Sequence, residues 1–188
     1  MYLQDAMKIF RDLGEREGEV LCLVMLGNVK LVDGKLEVME ELTREGLKTA
    51  RQLGNKLLTA LCLRYLAAGR MYQGNYQESA EMAEECLAIY RESGDEIQIA
   101  KIINNIGAIE YLAANYDKAI ETWEECLRLR RGLGDRHGIA MSLTNLGSAF
   151  SMIKDYDTAE KLLYQLDDSK ESTFRQVFDS IDSNNIGF

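Results

Sequence analysis

Four cysteines, Cys22, Cys62, Cys86 and Cys126, have the widest chemical range in this sequence, because thiolates bind metals, form disulfides and act as nucleophiles. Cys22 and Cys62 have the same spacing as Cys86 and Cys126, and no Cys-x-x-Cys motif is present. If the chain repeats with that spacing, equivalent positions lie on neighbouring helices about 10 Å apart, which exceeds the reach of a disulfide. The pattern therefore predicts free thiols that pack as small apolar side chains. Free thiols indicate a reducing, cytoplasmic compartment.

His137 is the single histidine and follows Asp135 and Arg136. A general base needs a nucleophile within hydrogen-bond reach and a third group that orients the ring, and no residue spacing supplies either. The glycines stand singly, so there is no glycine-rich loop to bind phosphate. The carboxylate pairs are expected on solvated helix faces: Glu40-Glu41, Glu84-Glu85 and Glu124-Glu125. We therefore predict a protein that is not an enzyme, with no cofactor, and the sequence argues against a small-molecule ligand.

Composition narrows the function classes further. Twenty-two basic residues against 31 acidic ones give a net charge of −9, which argues against binding to a nucleic-acid backbone. Apolar residues make up 46% and charged residues 28%, which are values typical of folded globular chains. No apolar run approaches the roughly 20 residues that cross a bilayer, so insertion into a membrane is not expected. The absence of proline favours long helices.

The sequence repeats with a fixed period. Four evenly spaced glycines set that period: Gly14, Gly54, Gly94 and Gly134. A small residue follows each of them at a constant distance: Gly27, Ala67, Gly107 and Gly147. Three further sets of residues recur with the same period: Leu36, Tyr76, Tyr116 and Tyr156; Met39, Ser79, Ala119 and Ala159; and Arg11, Arg51, Arg91 and Arg131. Because so many residues recur with one period, the sequence contains an internal repeat.

Each repeat is predicted to form two helices. Apolar residues recur every three or four positions in the first helices, expected at 16–33, 56–73, 96–113 and 136–153, and in the second helices, expected at 36–52, 76–92, 116–132 and 156–166. The period glycines can close one helix in a left-handed conformation, and the Asp or Asn that follows three of them can cap the next helix. This gives four repeats at 14–53, 54–93, 94–133 and 134–166, preceded at 1–13 by the second helix of a partial repeat.

Two stretches carry a family resemblance, "NNIGAIEYLAANYDKAIETWEECL" at 104–127 and "TNLGSAFSMIKDYDTAEKLL" at 144–163. Both resemble the tetratricopeptide repeat, in the longer form of about 40 residues found in kinesin light chain, in Pins and in sensor domains of some bacterial regulators. The resemblance implies an all-α, right-handed superhelical solenoid of helical hairpins. Met39 and Leu36 depart from the pattern in the first repeat, and arginine stands where the family often has a closing proline.

The resemblance also implies a binding groove, because in this family the first helices line the concave surface. The matching positions are Asn28, Arg64, Tyr65, Lys101, Asn104, Asn105, Ala108, Thr144, Asn145 and Ser148, with Tyr72 and Tyr111 one or two turns further on. An asparagine amide can both donate to and accept from a peptide backbone, and Lys101 and Arg64 could bind a carboxylate. Val24 and Ala68 stand where chaperone-binding members need polar groups, which favours an internal peptide or a helix as ligand. The alternative is that the asparagines only solvate a helix face.

Residues 167–188 break the period. Phe174, Val177, Phe178 and Ile181 are spaced as on one face of an amphipathic helix. The run from Asp182 to Gly187 resembles the opening of an EF-hand loop, with Asp182 and Asn184 as candidate calcium ligands. Ile186 cannot be a ligand, and the bidentate glutamate that closes such a loop is missing. We therefore expect this segment to cap the last repeat and expect no calcium binding.

Two functions fit these observations. The first is an adaptor that binds a peptide or helix of another protein in its groove. The alternative is a regulatory segment of a larger signalling protein, which could respond to calcium because the run that begins at Asp182 resembles an EF-hand.

Overall fold

The structure, a computed structural model, describes residues 2–164. This range holds nine α-helices and no strand. Their bounds are α1 Tyr2–Leu13, α2 Arg16–Val32, α3 Leu36–Gln52, α4 Lys56–Tyr72, α5 Tyr76–Ser93, α6 Glu96–Leu112, α7 Tyr116–Leu133, α8 Arg136–Met152 and α9 Tyr156–Tyr164. The predicted all-α solenoid is confirmed. None of these nine helices is long and apolar enough to cross a membrane.

The helices stack as hairpins. α2 packs on α3, α4 on α5, α6 on α7 and α8 on α9, and each hairpin packs on the next through α3–α4, α5–α6 and α7–α8. The first helices also contact one another directly, α2 with α4 and α4 with α6. Helices that approach most closely lie on the inner side of a curved stack, so we call the surface of α2, α4, α6 and α8 the inner face.

Glycines in the left-handed region end the second helices, as the sequence predicts. Gly94 and Gly134 have φ values of 70° and 67°. The cap that follows is present at three of the four junctions, where Asn55, Asp95 and Asp135 accept hydrogen bonds from the backbone N–H three residues further on. Each junction therefore closes one helix and starts the next within two or three residues.

Small residues let the two helices of a hairpin approach closely. A β-carbon at Gly107 would stand 2.4 Å from Nε1 of Trp123, and one at Gly27 would stand 2.5 Å from Oγ1 of Thr43. Both contacts join the same two positions of the repeat, one on the first helix and one on the second. The indole N–H of Trp123 donates to the carbonyl oxygen of Asn104 at 3.1 Å. This contact fixes α7 against α6.

Met39 departs from the family pattern without disturbing the packing. Its side chain is buried, and a β-carbon at Gly69 would stand only 2.0 Å from its Cε. The space that a small residue would leave inside the first hairpin is therefore filled by the methionine, and the next hairpin makes room for it with a glycine on α4. The substitution and its compensation lie on different repeats.

A row of ion pairs connects successive second helices on the outer side. Arg51 Nη2 lies 2.7 Å from Oε1 of Glu85, and Arg91 Nη2 lies 3.5 Å from Oε1 of Glu125. Arg11 Nη2 and Glu45 Oε1 occupy the equivalent places at 3.6 Å. The arginines that replace the closing proline thus pair with a glutamate of the next hairpin. Exposed pairs of this kind are screened by water and contribute little to stability, so the row aligns the hairpins more than it stabilises them.

A partly buried ion-pair network connects α3, α4 and α5. Arg70 on α4 pairs with Glu40 on α3, and its Nε lies 2.9 Å from Oε2 of Glu78 on α5. Arg44 Nε also donates to Oε1 of Glu40 at 2.7 Å. Burial opposes ionisation of Glu40, but the hydrogen bond from Arg44 and the charge of Arg70 outweigh it and hold its pKa below the ordinary value.

The amphipathic segment and the EF-hand-like run, including Asp182 and Asn184, lie outside the described residues.

Two connectors inside hairpins give a test of backbone strain. Gly74 ends α4 with φ 77°, whereas Ala114 ends α6 at the equivalent position with φ 61°. Both make the same closing bonds, Gly74 N to Met71 O and Ala114 N to Tyr111 O, each 3.0 Å. Because alanine is strained there and glycine is not, Ala114→Gly should raise the free energy of unfolding by about 0.5–1 kcal/mol. Urea unfolding followed by circular dichroism measures it.

Gly74→Ala is the matched control and should lower stability by a similar amount, since no atom lies within 4 Å of its added β-carbon and only the backbone is strained. Equal stability of all three proteins would contradict this account.

Glu40→Gln tests the buried network. The pKa of Glu40 is lower in the folded than in the unfolded chain, so its carboxylate stabilises the fold above the unfolded pKa and loses that effect as the pH falls through the folded one. The variant should be less stable by about 1–2 kcal/mol at pH 7, and the difference should shrink between pH 5 and pH 3. Urea unfolding across that range measures it. Glu41→Gln, which removes a carboxylate from the exposed neighbouring position, is the matched control, and an equal loss of stability in both variants at pH 7 would contradict the role of the network.

Candidate binding surface on the first helices

All predicted groove residues lie on the first helices. Asn28 is on α2; Arg64, Tyr65 and Tyr72 are on α4; Lys101, Asn104, Asn105, Ala108 and Tyr111 are on α6; Thr144, Asn145 and Ser148 are on α8. Positions three and four residues apart share one side of a helix, so the period brings these residues to one side of four stacked helices.

Two of the asparagines bond to each other. Nδ2 of Asn145 donates to Oδ1 of Asn104 at 3.1 Å, which joins α8 to α6. The backbone carbonyl of Asn104 also accepts from Trp123 of α7. Asn105 and Asn28 are half-buried and have no hydrogen-bonded side-chain partner within residues 2–164. Of the two amides predicted to bind a peptide backbone, Asn145 is therefore already bonded within the protein, whereas Asn105 is not.

The hydroxyl groups of α8 are also used locally. Oγ1 of Thr144 donates to the carbonyl of Ala140 at 3.0 Å, and Oγ of Ser148 donates to the carbonyl of Thr144 at 3.1 Å. Both side chains remain exposed, so each oxygen can still accept a hydrogen bond. This end of the inner face offers acceptors rather than hydroxyl donors.

Two cations near the centre of the inner face have no carboxylate partner among the described residues. Nη1 of Arg64 donates to the amide oxygen of Gln98 at 3.2 Å, and its guanidinium lies 5.0 Å from the ring centroid of Tyr65. Lys101 is exposed and makes no hydrogen bond or ion pair with any residue between positions 2 and 164. In a chain of net charge −9, these groups give the inner face a local positive centre.

Tyr111 belongs to an aromatic cluster next to the groove. Its ring centroid lies 5.5 Å from that of Tyr116 in an edge-on arrangement and 5.7 Å from that of Trp123. Burial raises the pKa of its hydroxyl, with a smaller contribution from Tyr116. Tyr111 therefore supports the turn between α6 and α7 while keeping part of its surface open.

Two stripes of exposed apolar residues flank the polar centre. The turn-side stripe occupies the last residue of each first helix, and its members are Val32, Tyr72, Leu112 and Met152, exposed by 81%, 66%, 48% and 48%. The start-side stripe consists of Leu57 and Ile97 near the beginning of α4 and α6, and of Leu21 and Met141 one turn further along α2 and α8, at the repeat position of Lys101. Apart from Tyr72, the sequence analysis missed these residues. The turn-side stripe recurs in phase with the period glycines, which is the signal that could have revealed it.

The cysteines are all buried and free, as predicted. Sγ of Cys86 donates to the carbonyl of Ala60 at 3.1 Å, and Sγ of Cys126 donates to that of Ala100 at 3.2 Å. Burial raises the pKa of Cys62 and of Cys86 to about 12. These thiols are therefore protonated at neutral pH and act as packing groups with a weak hydrogen bond.

His137 is exposed in the first turn of α8. Within the described range, no group of three His, Cys, Asp or Glu side chains is arranged to hold a metal ion. The same range therefore offers no metal centre to which a catalytic role could be assigned.

Comparisons with known proteins also identify the repeat. Residues 59–93 and 98–166 match family models that are both described as tetratricopeptide repeat, and together they span more than half of the chain. No protein with a curated description matches the sequence.

Three solved structures have a similar fold. The repeats of a putative kinesin light chain from Podospora anserina superpose with a TM-score of 0.69 at 16% identity, covering 87% of this chain and 82% of that one. A signal transduction ATPase from Pyrococcus horikoshii with a tetratricopeptide-repeat sensor gives 0.74 at 19% identity, covering 96% and 28%. A Rap protein in complex with competence and sporulation factor gives 0.62 at 15% identity, covering 97% and 58%. At these identities the likeness shows the fold.

The buried thiols allow a test of how tightly the hairpins pack. Because Cys62 and Cys86 are protonated and enclosed, the native protein should not react with iodoacetamide at pH 7.5, and all four cysteines should be alkylated once urea unfolds the chain. Mass spectrometry counts the adducts. An added thiol in Ala88→Cys, at an exposed position on α5, should react at once and serves as the control. Stoichiometric labelling of the native cysteines would show that the stack opens readily.

Proposed function

The chain belongs to the tetratricopeptide-repeat family, and on that premise we propose that it is a cytoplasmic adaptor, without catalytic activity, whose inner face binds a peptide or a helix of another protein. Nucleic acid, membrane and small-molecule ligands are not part of the proposal. The net charge of −9 supports the exclusion of nucleic acid.

One observation carries the proposal, namely the composition of the inner face. It combines two cations that have no carboxylate partner within residues 2–164, Arg64 and Lys101, with two stripes of exposed apolar side chains on the same four helices. Exposed apolar patches flanked by polar groups are typical of protein-binding surfaces. A ligand carboxylate beside Arg64 or Lys101 would form charge-assisted hydrogen bonds that the protein itself does not supply.

A likeness favours a second candidate, a regulatory segment within a larger signalling protein. The superposition covers 96% of this chain but only 28% of the signal transduction ATPase, a protein that includes a tetratricopeptide-repeat sensor. In that case the inner face would bind a segment of the same polypeptide. The Rap protein in complex with a factor supports ligand binding by this fold in either setting.

Substitution of the two cations tests the proposal. Replacing Arg64 and Lys101 together by glutamine should weaken the binding of partners captured from native lysate by about tenfold or more, because each charged hydrogen bond contributes about 1.5–3 kcal/mol. Quantitative mass spectrometry of captured proteins measures the loss. Thermal unfolding should confirm that the variant is folded.

The matched control is the pair Lys48→Gln and Arg128→Gln, which removes one lysine and one arginine from exposed positions on α3 and α7. A partner whose capture falls equally with both double variants is bound through the overall charge of the protein. Capture unchanged by the inner-face pair would contradict the assigned surface, and so would unchanged capture by Asn105→Ala combined with Asn145→Ala.

A further inference from the structure

An apolar groove lies on the outer side of the stack, where α7, α8 and α9 meet. We call it the outer groove, and its apolar lining consists of Leu127, Leu146, Phe150 and Leu162. Phe150 and Leu162 are only half-buried, so part of their surface is open. The groove has a volume of about 360 Å³. Because a cavity of about 150 Å³ admits one benzene ring, the outer groove has room for about two phenyl rings.

Charged side chains occupy the same place in an earlier hairpin. Arg70 and Glu78 stand two repeats before Phe150 and Thr158, and Nε of Arg70 lies 2.9 Å from Oε2 of Glu78. Among the described residues, the groove beside α3 is lined mostly by polar side chains, namely Arg44, Leu47, Lys48, Arg51 and Gln52. In the last hairpin a phenylalanine and a threonine replace the ion pair. Open apolar surface of this kind indicates contact with another segment.

The segment that follows α9 can reach the outer groove. α9 has nine residues and is about 14 Å long, whereas the ten residues from Gln165 to Phe174 can span up to about 33 Å. Phe174 and Phe178 are four residues apart, so a helix would present both rings on one face. Two phenyl rings on one helix face match the room in the groove.

The charges of the segment match the rim of the groove. Arg128 lines the groove on α7, is exposed, and makes no hydrogen bond or ion pair with any residue from position 2 to position 164. Three carboxylates stand between the end of α9 and Phe174, namely Asp167, Asp168 and Glu171. α9 runs parallel to α7, since both pack on α8 through short connectors, and Tyr164 has the repeat position of Glu124. A chain that leaves α9 there passes Arg128 one turn further along.

We propose that residues 167–188 turn back as an amphipathic helix and cover the outer groove, with the rings of Phe174 and Phe178 against Phe150 and Leu162. A segment joined by a short linker has an effective concentration in the millimolar range, which favours it over a second copy or a separate partner. The outer groove is then an intramolecular contact. The inference concerns the outer side of the stack and does not depend on the function proposed for the inner face.

Hydrogen–deuterium exchange of the whole chain tests the contact. Backbone amides of residues 172–182 should exchange at least about tenfold more slowly in the unchanged protein than in a variant with an altered groove. That variant combines Phe150→Glu with Thr158→Lys. The preceding repeat has Glu110 and Lys118 at the same positions, so the last hairpin should still fold. Mass spectrometry of peptic fragments measures the exchange, and the sequence of the segment is the same in both proteins.

Met152→Glu is the matched control. Met152 is 48% exposed on α8 and does not line the outer groove, so this variant should leave the exchange of residues 172–182 unchanged. A second variant alters the segment and no described residue, namely Phe174→Ser combined with Phe178→Ser. It should speed the exchange of fragments from α9, because the groove loses its cover.

Each other outcome contradicts the inference in a distinguishable way. Fast exchange of residues 172–182 in the unchanged protein would show that the segment covers nothing. Slow exchange that survives the groove variant would place the segment elsewhere. Slow exchange that is lost on dilution, together with a dimeric mass by light scattering, would assign the groove to the segment of a second copy. An equal effect of Met152→Glu would show that the last hairpin itself opens, which contradicts a specific contact.

Discussion

The close approach of the two helices in each hairpin is the contact on which the rest of this structure depends. Gly107 allows the indole of Trp123 to lie where a β-carbon would otherwise be, and Gly27 does the same for Thr43. Hairpins packed this closely can stack at a constant spacing. Because the spacing is constant, residues that recur in the sequence line up as continuous surfaces. The same contact reaches the candidate site, because Trp123 donates to the carbonyl of Asn104.

The sequence was sufficient to predict the fold, because its signals are local and recur. Period glycines in the left-handed conformation and asparagine or aspartate caps depend only on neighbouring backbone, so repeats reveal them directly. What the sequence could not show is compensation between repeats. The room for Met39 comes from Gly69 on the next hairpin, and the partner of Arg51 is Glu85 on α5, contacts that appear only after the helices are stacked.

The helix on which each candidate residue lies was predictable from the sequence, but the hydrogen bonding of its side chain was not. Family register placed Asn104 and Asn145 on the inner face, yet only the structure shows that they bond to each other. The stripes were missed for a different reason. An apolar residue at the end of an amphipathic helix, such as Leu112, satisfies the pattern of a core position, and only its 48% exposure separates it from one.

The two sides of the stack differ in how their charged side chains are paired and how far their apolar side chains are exposed. On the outer side, arginines and glutamates of successive second helices pair with one another, as Arg91 and Glu125 do. On the inner side, within residues 2–164, Arg64 and Lys101 have no carboxylate partner and the two apolar stripes are exposed, so another segment that supplied carboxylates and apolar side chains would gain free energy there. An asymmetry of this kind has no role in holding the hairpins together, since the buried core already does so. It is therefore the feature of the stack that most directly indicates binding.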